Sequence, residues 1–449
     1  MTPPTTRVGI VGGGMLGMTL AHRLRAAGLH PTILEASPEP GGLASSQAIG
    51  GYRWDRFYHV ILLSDGELLA LLGELGLADQ LRWGYTRSGF FTGGDFHSLS
   101  STLDFLNFPP LSLVEKARLA FTILHASKIQ DARPLEGETA AAWLTRWSGT
   151  RTYERLWRPL LRSKLGENAE RASAAFIWAV IARMYAARRS GLKREMFGYV
   201  DGGYAVILPR LRERLTGAGV EFVCGQPVAR VSGDSGGATI TLSNGSHLEF
   251  DQVVLTVSCP QILEICPDLN AGERARLESV VYQGIACPSL LLRRPLGPYY
   301  ITSITDEWVP FTAVIEMTAL VDRERFGGHS LVYLPRYLSQ GSPVWKRSNE
   351  ELIGSFLQAL MRMYPGLRES DVVAWQVARA REVLAIPTLN YSRDSLPPTA
   401  TSLDNVFIVN SAQIAAGTLN VNETVTLANR KAVELLPLLR GSRRLPVGA

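Results

Sequence analysis

The chain has 449 residues, 46% hydrophobic and 19% charged, a globular composition that is too long for one core and excludes the disordered class. Net charge is only +5, yet the segment from Arg146 to Arg194 holds twelve Lys and Arg against three Glu, or +9, leaving about −4 on the rest. That segment implies an anionic partner (phosphate, carboxylate or lipid head group), and nucleic acid is excluded because no nucleic-acid motif accompanies the charge.

In chain order, Arg7 to Val11 is a short β-branched run ending in glycines, the pattern of a buried parallel strand. Met15 to Ala27 follows as a helix with Leu16, Leu20 and Leu24 on one face and Gly28 at its end, and Pro31 to Glu35 is the next strand, completing a βαβ unit. Glycines stand where a secretory leader would be apolar, and no small-residue cleavage site follows, so no signal peptide is expected. Helical patterns then dominate from about Asp65 to Leu215, clearest at Glu67–Leu77, Leu113–Ser127, Thr139–Trp147 and Ala174–Arg188. The longest apolar run, Ala174 to Ala182, is far short of the roughly 20 residues of a membrane span. A soluble protein, or one attached to a membrane surface, is expected.

Val220 to Val257 changes to period-two alternation, with turn signals at Asp234–Gly237 and Asn244–Gly245. A second β-rich stretch runs from Tyr282 to Leu334, then a helix at Asn349 to Met363, a buried strand at Val406 to Val409 and a long helix at Val421 to Leu436. Cys224, Cys259, Cys266 and Cys287 form no C-x-x-C pair and no zinc-spaced set with histidine, which implies reduced thiols, no metal site and a cytoplasmic compartment.

The chemistry begins at Gly12, Gly14 and Gly17, a G-x-G-x-x-G turn between the first strand and its helix. Gly12 makes the tight turn, Gly14 lets the backbone approach a pyrophosphate, and Gly17 lets helix and strand pack closely. The helix N-terminus, at Met15 and Leu16, offers free N–H groups to the phosphates. Glu35, followed by Ala36, stands 18 residues after Gly17 at the end of the second strand, where a carboxylate can accept both hydroxyls of an adenosine ribose. The turn alone does not separate NAD from FAD.

The stretch Ala36-Ser37-Pro38-Glu39-Pro40-Gly41-Gly42-Leu43 resembles the flavin-containing amine oxidoreductase superfamily, which includes protoporphyrinogen oxidase, phytoene desaturase and UDP-galactopyranose mutase. Gly41 and Gly42 match the family's Gly-Gly pair beside the pyrophosphate and flavin; Leu43 stands where many members have Arg or Lys. Asp251–Val257 is similar to the third parallel strand, Pro227–Val231 to the segment whose backbone, here at Val228, holds adenine. Val406–Val409 with the loop to Asn420 and the helix from Val421 resemble the C-terminal flavin motif. In the family that helix's N-terminus faces the pyrimidine end of the isoalloxazine, where its dipole stabilises reduced flavin. Asn410-Ser411 replaces the acid of many members; Asn410 can hydrogen-bond a ribityl hydroxyl or phosphate oxygen without carrying charge.

The resemblance also places the segment from Gly51 to His59 beside the flavin, where His59 either carries a proton or is a hydrogen-bonded structural histidine. Arg158, Arg162 and Lys164 lie close enough on a helical turn to bind a phosphate or carboxylate, or form a solvated basic face. Arg379 and Arg381 precede Ile386-Pro387, where the family returns to the flavin, and Arg381 is a further substrate-side candidate. Trp143, Trp147, Trp157 and Trp178 are read as core.

The expected fold is α/β: a Rossmann-like FAD-binding domain in three pieces (1–95, 201–265, 391–449), a mainly helical region (96–200) and a β-rich substrate domain (266–390). The expected function is FAD-dependent hydride abstraction or desaturation of an anionic, partly apolar or lipid- or glycan-linked small molecule. A non-redox flavin mutase and a non-catalytic flavin-binding protein are the alternatives.

Overall fold

The structure, a computed structural model, describes residues 6–98, 100, 104, 106–188, 196–415 and 417–441. Its organising element is a five-stranded parallel sheet of strands Glu221–Cys224, His30–Glu35, Arg7–Val11, Gln252–Leu255 and Val406–Ile408, in that spatial order. Parallel neighbours need crossovers, so three segments far apart in the chain meet in one sheet. Both faces are covered. Helices Met15–Ala26, Gly66–Glu74, Tyr204–Gly217 and Val421–Gly441 pack on one, burying Leu20, Leu24, Leu71, Leu211 and Leu435 completely. The antiparallel hairpins Val228–Asp234, Gly237–Leu242 and His247–Phe250 cover the other around Val231 and Ile240.

The second large sheet has eight strands, with the fully buried Tyr282–Leu292 paired to Val372–Ala385 along most of its length. Helix Asn349–Met363 covers one face through Leu352, Phe356 and Leu360. Two strands from the predicted helical stretch, Ser88–Thr92 and Asp95–Ser98, join this sheet beside Ile301–Ile304. Leu81–Tyr85 pairs with Met196–Val200. Gly84, Gly89, Gly93 and Gly94 interrupt the side-chain alternation there, so no strand period was visible. The helical region, Leu113–Lys128, Ala140–Ser148, Arg158–Leu165 and Ala174–Arg188, has its own core around Trp143, Leu144, Leu165 and Phe176. No helix among the described residues is long and apolar enough to cross a membrane.

Candidate active site

At the glycine turn, backbone packing accounts for two of the three motif glycines. Gly12 has φ +112°, its N–H donates to Leu34 O at 2.8 Å, and a Cβ there would lie 2.6 Å from Thr256 Oγ1. A Cβ on Gly17 would lie 2.0 Å from Gly12 O. Gly14 is different: the sole protein atom within 4 Å of its missing Cβ is Gly42 Cα, at 3.9 Å. Nothing in the protein requires glycine at position 14, whereas a ligand passing over that backbone would. Gly14 and Gly41 form a parallel bridge and the Gly41 N–H donates to Gly13 O at 2.8 Å, so the two glycine segments lie side by side.

Helix Met15–Ala26 starts on Gly14 with no side-chain cap and no acid in its first turn. Met15 and Leu16 bury their side chains, so they present only backbone N–H groups, the arrangement that binds phosphate. Glu35 is half-buried; its Oε2 accepts from the Gly13 N–H at 2.8 Å and its Oε1 from the Ser37 N–H at 2.9 Å. The carboxylate is thus held at the strand end with lone pairs left for ribose hydroxyls. Ala36 is exposed beside it, and Val228 is half-buried at the start of its hairpin. An uncapped helix end, an open backbone at Gly14 and a fixed carboxylate fit the dinucleotide half of FAD.

The C-terminal motif departs from expectation at Asn410. Its side chain is buried, Nδ2 donates to Val257 O at 3.1 Å and Oδ1 accepts from the Ala412 N–H at 3.2 Å. It ties together the exits of two parallel strands. Ser411 is half-buried in the turn that follows. Asn420 caps helix Val421–Gly441: its Oδ1 accepts from the Glu423 N–H at 3.0 Å and its Nδ2 donates to Thr418 O at 2.7 Å. Thr418 and Asn422, to either side of Asn420 and Val421 in the chain, line a cavity of about 270 Å³ together with Asp65, Trp178, Arg183, Gly417 and Glu423. Trp178, read from the sequence as core, donates its indole N–H to Ala126 O and also lines this cavity. Arg183 pairs with Asp65 at 3.2 Å, and burial pushes the carboxyls of both Asp65 and Glu423 up.

Past the Gly-Gly pair, the chain turns through Ser45, whose carbonyl accepts from the Arg56 N–H at 3.0 Å. Leu43 is half-buried and packs apolar against the cluster containing Trp54, Phe57 and Tyr333, as do Tyr58 and Tyr337. Tyr58 and His59 then diverge. Nδ1 of His59 is buried without a hydrogen bond, 3.7 Å from Asp55 Oδ2, and its ring lies 4.9 Å from that of Tyr204. Burial pushes the Asp55 carboxyl up, while His59 and the Tyr204 N–H, which donates to Asp55 Oδ1 at 2.8 Å, pull it back. Tyr58 meets Tyr337 hydroxyl to hydroxyl at 2.8 Å; burial pushes the Tyr58 phenol up and keeps it neutral.

Of the predicted substrate-side cations, Lys164 completes this wall, with Nζ 5.6 Å from the centre of the Tyr337 ring and no ion pair among the described residues. Arg158 and Arg162, on the same helix, point elsewhere and pair with Glu154 at 2.5 Å and Glu170 at 3.9 Å. Arg381 is exposed and stacks on Trp345 at 4.8 Å, while Arg379 is tied to the Val344, Trp345 and Arg347 carbonyls. Tyr58 and Tyr337 escaped the sequence reading; the one local signal was the position of Tyr58 next to His59, because their partnership spans 279 residues.

The pattern of the flavin containing amine oxidoreductase family matches residues 16–436. Coproporphyrinogen III oxidase of Mycobacterium leprae is 27% identical over 307 residues, 64% of this chain and 67% of that protein. The Mycobacterium tuberculosis enzyme is 26% identical, and the match spans 65% of its length. Among solved structures, a protein from Exiguobacterium sp. 255-15 provisionally assigned as a protoporphyrinogen oxidase superposes with TM-score 0.76 at 19% identity, covering 96% of this chain and 99% of that one. A reduced UDP-galactopyranose mutase superposes with TM-score 0.74 at 16% identity, covering 97% and 95%. This chain is therefore a member of the flavin containing amine oxidoreductase family, an FAD-dependent oxidoreductase.

Proposed function

We propose that the protein removes hydride from carbon of a small, partly apolar, anionic substrate, with porphyrinogens as the first class to test. The observation that carries this reading is the Tyr58–Tyr337–Lys164 wall, where a half-buried cation without a carboxylate partner among the described residues stands over the Tyr337 ring, whose hydroxyl meets that of Tyr58. An aromatic surface with one half-buried cation suits a substrate that joins apolar area to a carboxylate or phosphate. The mycobacterial relatives act on coproporphyrinogen III, a carboxylated apolar macrocycle by chemistry, which supports the same class.

Gly14, Glu35 and the Gly41–Gly42 pair would hold FAD, which would supply the hydride acceptor. The chain's own residues hold the substrate, exclude water and move protons. Tyr58 and Tyr337 present hydroxyls and ring faces, Lys164 anchors the anionic group, and His59 takes or returns the proton that accompanies carbon–hydrogen cleavage. No described residue supports a second anion site at Arg158 and Arg162, whose charges Glu154 and Glu170 already offset.

The test is anaerobic mixing of the yellow holoprotein with reduced candidates, coproporphyrinogen III first, followed at the flavin absorbance. Bleaching with formation of an oxidised product is expected. A substrate recovered isomerised with the flavin returned to its starting state would instead establish the mutase alternative, and a flavin inert to every reductant of this class would overturn the oxidoreductase reading of the site.

A further inference from the structure

Helix Leu113–Lys128 begins with a full capping box at Ser112 and Glu115 and buries Glu115, Lys116, Leu119, Thr122 and Ala126 against its neighbours. Its other side is apolar as well. Leu113 is 72% exposed, Val114 71%, Phe121 54% and Leu124 48%. At 100° per residue these four, with exposed Ala117, fall within about one third of the helix circumference. Large apolar side chains scattered singly on a surface need no explanation, but a contiguous stripe on one helix does.

The border of the stripe is cationic. Arg118 and Lys128 are exposed on the same helix. Arg151 and Arg155 stand at its N-terminal end, Arg151 pairing with the mostly buried Glu115 at 3.4 Å and Arg155 donating to Pro110 O at 3.1 Å. Arg118 donates to the carbonyls of Arg146 and Trp147 and pairs with no carboxylate among the described residues. The described helix face itself carries no exposed acid.

We propose that this face lies flat on an anionic lipid surface, with Leu113, Val114, Phe121 and Leu124 inserted among the acyl chains and Arg118, Lys128 and Arg155 at the level of the head groups. An amphipathic helix with a cationic border is the form that interfacial binding takes. The charges favour lipid over a second copy of this chain, because two copies apposed on this face would set their arginines against each other. The helix also packs directly on Ala174–Arg188, and Trp178 of that helix both donates its indole N–H to Ala126 O and lines the cavity at Asn422 and Glu423. The proposed face is therefore one helix away from the cavity, so a substrate dissolved in lipid would have a short way in. This inference does not depend on the substrate reading above, since it is read out by binding alone.

The experiment is co-sedimentation of the full-length holoprotein with mixed phosphatidylcholine–phosphatidylglycerol vesicles and with phosphatidylcholine vesicles. Binding to the anionic vesicles, weakened by salt, is expected. Phe121→Glu should abolish it, and Arg118→Gln should weaken it about five-fold, the factor for one interfacial cation. Flavin absorbance and the Tm of each variant verify folding; were Phe121→Glu to misfold, Leu113→Ser and Val114→Ser together make the same test at the most exposed positions. Three results would overturn the proposal: no binding by the parent protein, equal binding to both vesicle types, or a dimer in solution that Phe121→Glu splits.

Discussion

The two sides of the site are built in opposite ways. The cofactor side is made by leaving side chains out: Gly14 faces open space, Gly42 lies beside it, and Met15 and Leu16 turn inward so that only backbone N–H groups remain. The proposed substrate side is made by bringing side chains in from distant segments, Tyr58 from the first part of the chain, Lys164 from the helical region and Tyr337 from the eight-stranded sheet. Backbone sites depend on a local turn and tolerate little. Side-chain sites depend on tertiary assembly and can change specificity one residue at a time.

That contrast predicts the largest effect for a methyl group added to the glycine turn. Gly17→Ala places a Cβ against Gly12 O and should destabilise the protein by about 3 kcal/mol or more, with a matching fall in Tm. Gly14→Ala adds the same methyl group where no protein atom stands within 3.9 Å, at an extended φ of −74°. It should leave Tm of the apoprotein unchanged and strip FAD. Stoichiometric FAD in Gly14→Ala would break the distinction between a packing glycine and a ligand glycine.

Next in size is His59. His59→Ala should keep the yellow colour and slow flavin reduction by about 10²–10⁴-fold, the usual share of general acid–base catalysis. Full activity in single-turnover reduction would assign His59 to its packing against Asp55 and Tyr204. Lys164→Met should act more mildly: KM for an anionic substrate should rise about 10-fold or more with kcat little changed, as for loss of one charged hydrogen bond. The same substitution should not alter KM for an uncharged analogue, and an equal rise for both would remove Lys164 as the anion anchor.

The smallest effect sharpens the comparison between two carboxylates. Glu35 and Glu316 each accept two backbone N–H groups, but Glu35 meets solvent and Glu316 is buried at the end of strand Ala313–Glu316. Burial outweighs the Leu296 and Gly297 N–H donors and pushes Glu316 up to about 7 from the ordinary 4.5. The folded state then holds a proton that the unfolded state releases above 4.5, so stability should fall as pH rises from 4.5 towards 7, by about 1–3 kcal/mol. Urea unfolding across that range should show the slope, and Glu316→Gln should flatten it.

Much of the cofactor side was legible from residue order. The strand Arg7–Val11, the glycine turn and Glu35 form one continuous βαβ unit, so local pattern carried the geometry. Helix Asn349–Met363 was equally clear because Leu352, Phe356 and Leu360 repeat at helical spacing above a capped start. The basic run was harder to read. Its charge looked free, yet Glu138, Glu115 and Asp65, all outside the run, stand beside Arg146, Arg151 and Arg183. Asn410 was assigned to cofactor from its place in the motif, whereas both polar atoms of its side chain serve the protein. Such pairings are set by tertiary contact, and no spacing rule reaches them.

The three-piece parallel sheet also sets an order of events during synthesis. Strand Gln252–Leu255 has Arg7–Val11 on one side and waits for Val406–Ile408 on the other. About 150 further residues must leave the ribosome before that edge closes, and pairing across so long a separation is slow. Until then a fully buried strand, Gln252-Val253-Val254-Leu255, stands with one row of backbone groups unpaired, a template for association with other nascent chains. Yield of the folded protein should thus be governed by how fast strand Val406–Ile408 arrives and docks, more than by the stability of the finished sheet.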